Sequence, residues 1–121
     1  MTQLIITAEQ RAILADALTP FADKITSVRL FGSRATGIAR ENSDIDLVIY
    51  GELDTRSERR LWTSLDESHL PVAVDLVVYS RINNPLLKEH IDLSAVDLFS
   101  QENLADLRSV RRDSGNNHTS A

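Results

Sequence analysis

The chain contains no cysteine, which excludes disulfides and thiolate-held metals and leaves the redox compartment unread. No apolar run approaches the ~20 residues that a membrane-spanning helix needs. Met1-Thr-Gln-Leu lacks the basic region and apolar core of a secretory leader, so the expected compartment is the cytoplasm. An excess of positive charge is also missing: 13 Lys and Arg stand against 18 Asp and Glu, a net charge of −5. Non-specific phosphate binding needs a basic surface, so no direct nucleic-acid binding is expected. There is no internal repeat and no low-complexity tract, and His69, His90 and His118 show no metal-ligand spacing. What is present is ordinary for a globular protein: 121 residues, 42% hydrophobic and 26% charged, enough for one domain with one core.

One stretch stands out. The apolar run Val28 to Phe31 ends in Gly32-Ser33, ten residues follow, and Asp44 and Asp46 then open a second run, Leu47 to Tyr50. Residues two apart in a strand project to the same face, so the two carboxylates point one way, about 7 Å apart along the backbone. Like charges on one face raise each other's pKa unless a cation joins them. That cost suggests a metal, and oxygen-only ligands suggest a hard one, Mg²⁺ or Mn²⁺.

Taken in order, Thr7-Ala-Glu-Gln10 is a capping-box pattern, and Ala12, Ile13, Ala17 and Leu18 recur near helical spacing. A helix is therefore expected over 8–18, stopped by Thr19-Pro20. Ser27 to Phe31 reads as a strand with Val28 and Leu30 inward. Gly32 and Gly37 are flexible points around a short helix starting at Ser33 or Arg34. Thr55-Arg-Ser-Glu58 offers another capping box before a helix over 56–68, with Leu61, Trp62 and Leu65 on its apolar side. Trp62 reads there as core rather than as a stacking platform. Val72 to Tyr79 is nearly all apolar, as a central strand would be, apart from Asp75. Asn84-Pro85 reads as a cap and first helical position, Val96 to Phe99 as a last short strand, and Leu104, Leu107 and Val110 as one more short helix. Arg111 to Ala121 is polar and reads as a mobile tail. The fold class is α/β (α+β), a small mixed β-sheet flanked by helices, with residues 1–100 as the main domain and 101–121 as helix and tail.

A charge inside a buried apolar strand is costly unless it is paired or coordinated, which makes Asp75 the natural third acid. Gly-Ser, ten residues, Asp-x-Asp and a later isolated Asp resembles the DNA polymerase β-like nucleotidyltransferase superfamily, and more narrowly its minimal nucleotidyltransferases. The resemblance covers roughly residues 25–99 and rests on Gly32, Ser33, Asp44, Asp46 and Asp75. It implies transfer of NMP from an NTP to an acceptor hydroxyl with two Mg²⁺ ions, and ATP as substrate. In that pattern Asp44 and Asp46 bridge both metals, while Asp75 binds the catalytic metal and accepts the hydroxyl's proton. Gly32 lets the backbone approach the triphosphate, and Ser33 offers a hydroxyl and an N–H at a helix start. Arg34 is an additional candidate phosphate contact by its position.

Larger relatives carry a helical domain that completes the acceptor site, and this chain has no room for one. The resemblance therefore implies a second copy of the chain or a small helical partner, a HEPN toxin or a substrate-binding-type protein, encoded alongside. With a HEPN partner, the implied activity is an antitoxin's, transferring AMP from ATP to a tyrosine. Two alternatives stand beside it: stoichiometric masking of the partner without catalysis, and transfer to a small molecule. Leu86 to Asp92 and Leu104 to Val110 are the candidate partner-facing segments.

Overall fold

The computed structural model describes residues 6–37, 40 and 42–119. Helix α1 (Ala8–Leu18) opens with the expected box: the Thr7 hydroxyl accepts from Gln10 N–H, and the Gln10 side chain accepts from Thr7 N–H, both at 3.0 Å. Its buried stripe is Gln10, Leu14 and Leu18, while Ala12 faces solvent. The larger leucines, at i and i+4, win the inward face because they hide more apolar surface. A 3₁₀ segment, Thr19–Lys24, leads into β1 (Ile25–Phe31), and one helical turn, α2 (Ser33–Thr36), follows Gly32.

β2 (Ile45–Gly51) runs antiparallel to β1, and α3 (Thr55–Asp66) carries the chain over to β3 (Val74–Val78), which lies parallel to β2. The α3 cap is Asp54, one residue before the expected one: its carboxylate accepts from Ser57 N–H at 2.7 Å. That bond, together with Lys24, holds the Asp54 pKa down at about 2. Thr55 is thus the first helical residue, because a carboxylate at the cap satisfies an orphan N–H and complements the helix dipole.

α4 (Pro85–Ser94) is capped by the Asn84 side chain, and β4 (Val96–Phe99) pairs antiparallel with β1. α5 (Gln101–Thr119) starts from a reciprocal pair in which Ser100 N–H donates to Asn103 and Asn103 N–H donates to Ser100. It continues through Thr119, past Val110 where composition predicts a tail. A helix already nucleated adds residues one hydrogen bond at a time, and polar residues do not stop it. Among the described residues no helix is long and apolar enough to cross a membrane.

The sheet order is β3-β2-β1-β4. β3 is therefore an edge strand, not the central one its composition suggests. Its apolar character has another cause. Val74, Leu76 and Val78 enter the main core, and Val77 on the other face borders a small cavity shared with Leu87 of α4. The main core packs Leu30, Ile45, Leu47 and Ile49 against Leu14, Leu18, Leu61 and Leu65. On the opposite face Val48 and Ile91 are fully buried outside that core. The sheet is thus covered on both sides, with the second face left open at its acidic end.

Candidate functional site

The β2–β3 register makes Asp46 the partner of Asp75, and the β1–β2 register makes it the partner of Phe31. Directly paired residues share a face of the sheet, so the Asp46 and Asp75 side chains stand on the same side. Asp44, two residues before Asp46, lies just ahead of β2. The three candidate acids are therefore brought to one end of one face.

Asp75 is exposed rather than buried. The cost of burying a charge is consequently not what marks it; its register opposite Asp46 is. The electrostatic strain falls on Asp46, whose pKa is raised from its ordinary 3.8, first by burial and then by the charges of Asp75 and Asp44. The Arg34 charge pulls the other way.

Gly32 ends β1 with φ 72° and ψ −151°, a conformation essentially restricted to glycine. A Cβ there would stand 2.4 Å from Asp46 Oδ2, so only a glycine allows the strand end to lie against the carboxylate. The Gly32 carbonyl accepts from the N–H groups of Ala35 and Thr36, which starts α2 at Ser33. Gly37, at φ 82°, closes the turn with its N–H on the Ser33 carbonyl. Gly32 and Ser33 thus flank Asp46 from the β1 side, while Asp75 flanks it from the β3 side.

Arg34 is 5% exposed and turned beneath the loop. Its guanidinium donates to the carbonyls of Ser43, at 2.7 Å, and Asp44, at 3.3 Å. As placed, it holds the backbone that presents Asp44. This role has no local signature, because its partners lie nine and ten residues away in sequence.

The residues that could hold a metal are the three aspartates. Among the described residues, no three His, Cys, Asp or Glu side chains stand close enough to hold an ion as they lie. The donor set itself, three oxygen acids beside a glycine that leaves Asp46 unobstructed, suits a hard divalent cation. Of the histidines, His69 and His90 are exposed, and the His118 side chain lies outside the described residues.

Sequence reasoning missed a cavity of about 330 Å³ between β2, β3 and the end of α3, bordered by Asp44, Asp75 and Trp62. Trp62 is half-buried, packed against the core as expected and bordering this cavity as well. The walls come from three separate segments, which is why no motif announces it.

The model of the family described as "Polymerase beta, Nucleotidyltransferase" matches residues 16–104. The probable protein adenylyltransferase MntA of Haemophilus influenzae is 42% identical over 77 residues, covering 62% of this chain and 67% of that protein. A crystal structure of a toxin–antitoxin with AMP-PNP matches with TM-score 0.61 at 24% identity, covering 90% of this chain and 88% of that one. A crystal structure of the toxin–antitoxin MntA-HepT matches with TM-score 0.56 at 22% identity, covering 90% and 86%. The mixed sheet, the placement of the acids and the match to residues 16–104 converge: the chain belongs to the polymerase β nucleotidyltransferase family, among its MntA-like members, and is an enzyme of nucleotidyl transfer.

Proposed function

We propose that this chain transfers AMP from ATP to a tyrosine hydroxyl on a small helical partner of HEPN type, and in doing so acts as that partner's antitoxin. The observation that carries the reading is the pairing of Asp46 with Asp75 beside the unobstructed Gly32 strand end. The relative's designation as a protein adenylyltransferase supports AMP as the group moved, and the toxin–antitoxin neighbours support a protein partner.

Each residue has a part in this scheme. Asp44, Asp46 and Asp75 would hold two Mg²⁺ ions, or Mn²⁺ in their place, which when bound neutralise charge on the phosphate chain. Gly32 and Ser33 receive the triphosphate with backbone N–H groups and a hydroxyl. Asp75 accepts the proton as the acceptor O–H breaks. The oxygen forms its bond to the α-phosphorus, and the bond to pyrophosphate breaks with its electron pair leaving on that group. Arg34 positions Asp44 rather than touching phosphate. The cytoplasm, where ATP is supplied, is the compartment this reading requires.

The partner surface would include α4, where Leu86 and Leu93 are 74% and 81% exposed, and Val110 on α5. Large apolar side chains left in water mark interaction surfaces when they cluster. Incubating the chain with ATP, Mg²⁺ and the product of the adjacent gene, then weighing that product, tests the proposal. A gain of one AMP that disappears with the double variant D44A/D46A supports it. An unmodified partner, or one modified equally by the double variant, rejects it.

A further inference from the structure

We propose that the outer face of α3 is a self-association surface, on which a second copy of this chain packs its own α3 antiparallel. Leu61 and Leu65 turn into the core, and the opposite face carries Arg56, Arg59, Arg60, Thr63, Asp66 and Glu67, all exposed. The three arginines lie in the first half of the helix and the two acids at its end, with Thr63 between them. None of the five charged side chains forms an ion pair among the described residues, whose pairs are Lys24–Asp54, Arg29–Asp97 and Arg81–Glu58. A chain of net charge −5 repels its own copies unless a basic patch on one meets an acidic patch on the other. This face offers both signs at once.

The acids stand where an isolated helix least favours them. A helix C-terminus is the negative end of the backbone dipole, yet Asp66 closes α3, Glu67 is its C-cap, and the last turn holds no basic residue. An antiparallel neighbour corrects this, because its positive N-terminal end and its arginines come beside those two acids. Helix periodicity then sets the pairing. Each residue advances about 100° around the axis, so Arg59 and Asp66 fall on one side of Thr63, and Arg60 and Glu67 on the other. A two-fold axis beside Thr63 exchanges the helix ends and keeps each side against its own kind. Arg59 thus meets Asp66 of the second copy, and Arg60 meets Glu67 of the second copy. Such an interface is isologous and closes on two chains. Exposed ion pairs are individually weak and screened by salt, so the dimer is weak and salt-sensitive. α3 covers the main-core face of the sheet and α4 the other, which leaves α4 open to a different partner.

Sedimentation equilibrium of the full chain tests this. At about 20 mM salt the mass should climb with concentration toward that of two chains, and about 1 M salt should return it to one. The charge reversals Arg59→Glu/Arg60→Glu and Asp66→Arg/Glu67→Arg should each weaken association about tenfold or more. All four side chains are exposed, so both variants keep the fold. Mixing the two variants should restore pairing, because every contact then joins opposite charges again; a merely structural role for these residues would not produce that rescue. A parent that stays a single chain at low salt overturns the proposal. So does a dimer that salt and both variants leave intact, which places the contact on another face, or a mixture that stays unpaired. Should the parent be a single chain while Arg59→Glu/Arg60→Glu alone loses the helical partner protein, the arginines dock an acidic face of that protein and the second copy is ruled out.

Discussion

Tyr50 and Tyr79 stack with ring centroids 4.8 Å apart, four residues along β2 and β3 from Asp46 and Asp75. Arg29 lies over the Tyr50 ring at 5.4 Å, Lys88 lies over the Tyr79 ring at 5.0 Å, and the Tyr79 hydroxyl donates to Asp92 at 2.7 Å. Five side chains from β1, β2, the turn after β3 and α4 thus clamp the far end of the parallel pair. Slipping that pair by one residue would send Asp75 to the opposite face, so the clamp helps to keep the acids together.

This coupling is measurable. Tyr50→Leu and Tyr79→Leu should each lower the melting temperature, and the double variant should lose less than the sum, since the stack is shared. AMP transfer should fall by less than tenfold in each, because neither ring reaches the reacting atoms. Additive losses would show that the rings act independently.

Gly32→Ala should be severe. The backbone region alone costs about 1–3 kcal/mol for a residue with a Cβ, and that Cβ would press on Asp46. A displacement of about 1 Å at a reacting centre lowers rates about 100-fold, which is the fall expected in transfer. Thermal melts and initial rates check the two parts separately.

Asp46 has a distinctive pH signature. Because the fold raises its pKa above the ordinary 3.8, chiefly by burial, it favours the protonated form. Stability contributed this way is lost as pH rises from the ordinary value through the raised one. Metal-free Asp46→Asn should therefore melt higher than the parent near neutral pH, and the advantage should vanish well below 3.8. Mg²⁺ with AMP-PNP should raise the parent's melting temperature and leave the variant's unchanged.

Arg34→Ala strips two backbone carbonyls of a charged donor and should destabilise by about 2 kcal/mol or more. Arg34→Lys should recover only part, since an ammonium lacks the guanidinium's planar fork. If Arg34 positions Asp44, both variants raise the Mg²⁺ concentration needed for half-maximal rate. If it contacts phosphate instead, KM for ATP rises at unchanged Mg²⁺ requirement.

Much of this architecture was legible residue by residue. Thr7 with Gln10 and Asn84 with Pro85 announce their helices because a cap and its partner lie within three residues of each other. Val28 and Leu30 announce an inward face because alternation is local. The shift of the α3 cap to Asp54 shows the limit even there, since two adjacent residues both offered acceptable caps.

The sequence by itself determined the order of strands and helices, a glycine at the end of β1 and two acids two residues apart at the start of β2, since those follow from short-range sterics, capping and hydrophobic period. It did not determine that β3 lies at an edge, that Asp75 is solvated, that Arg34 turns under the loop, or that Trp62 borders a cavity beside the acids. Those were decided only by tertiary structure, because each depends on which distant segments pair and on which face they leave open to water.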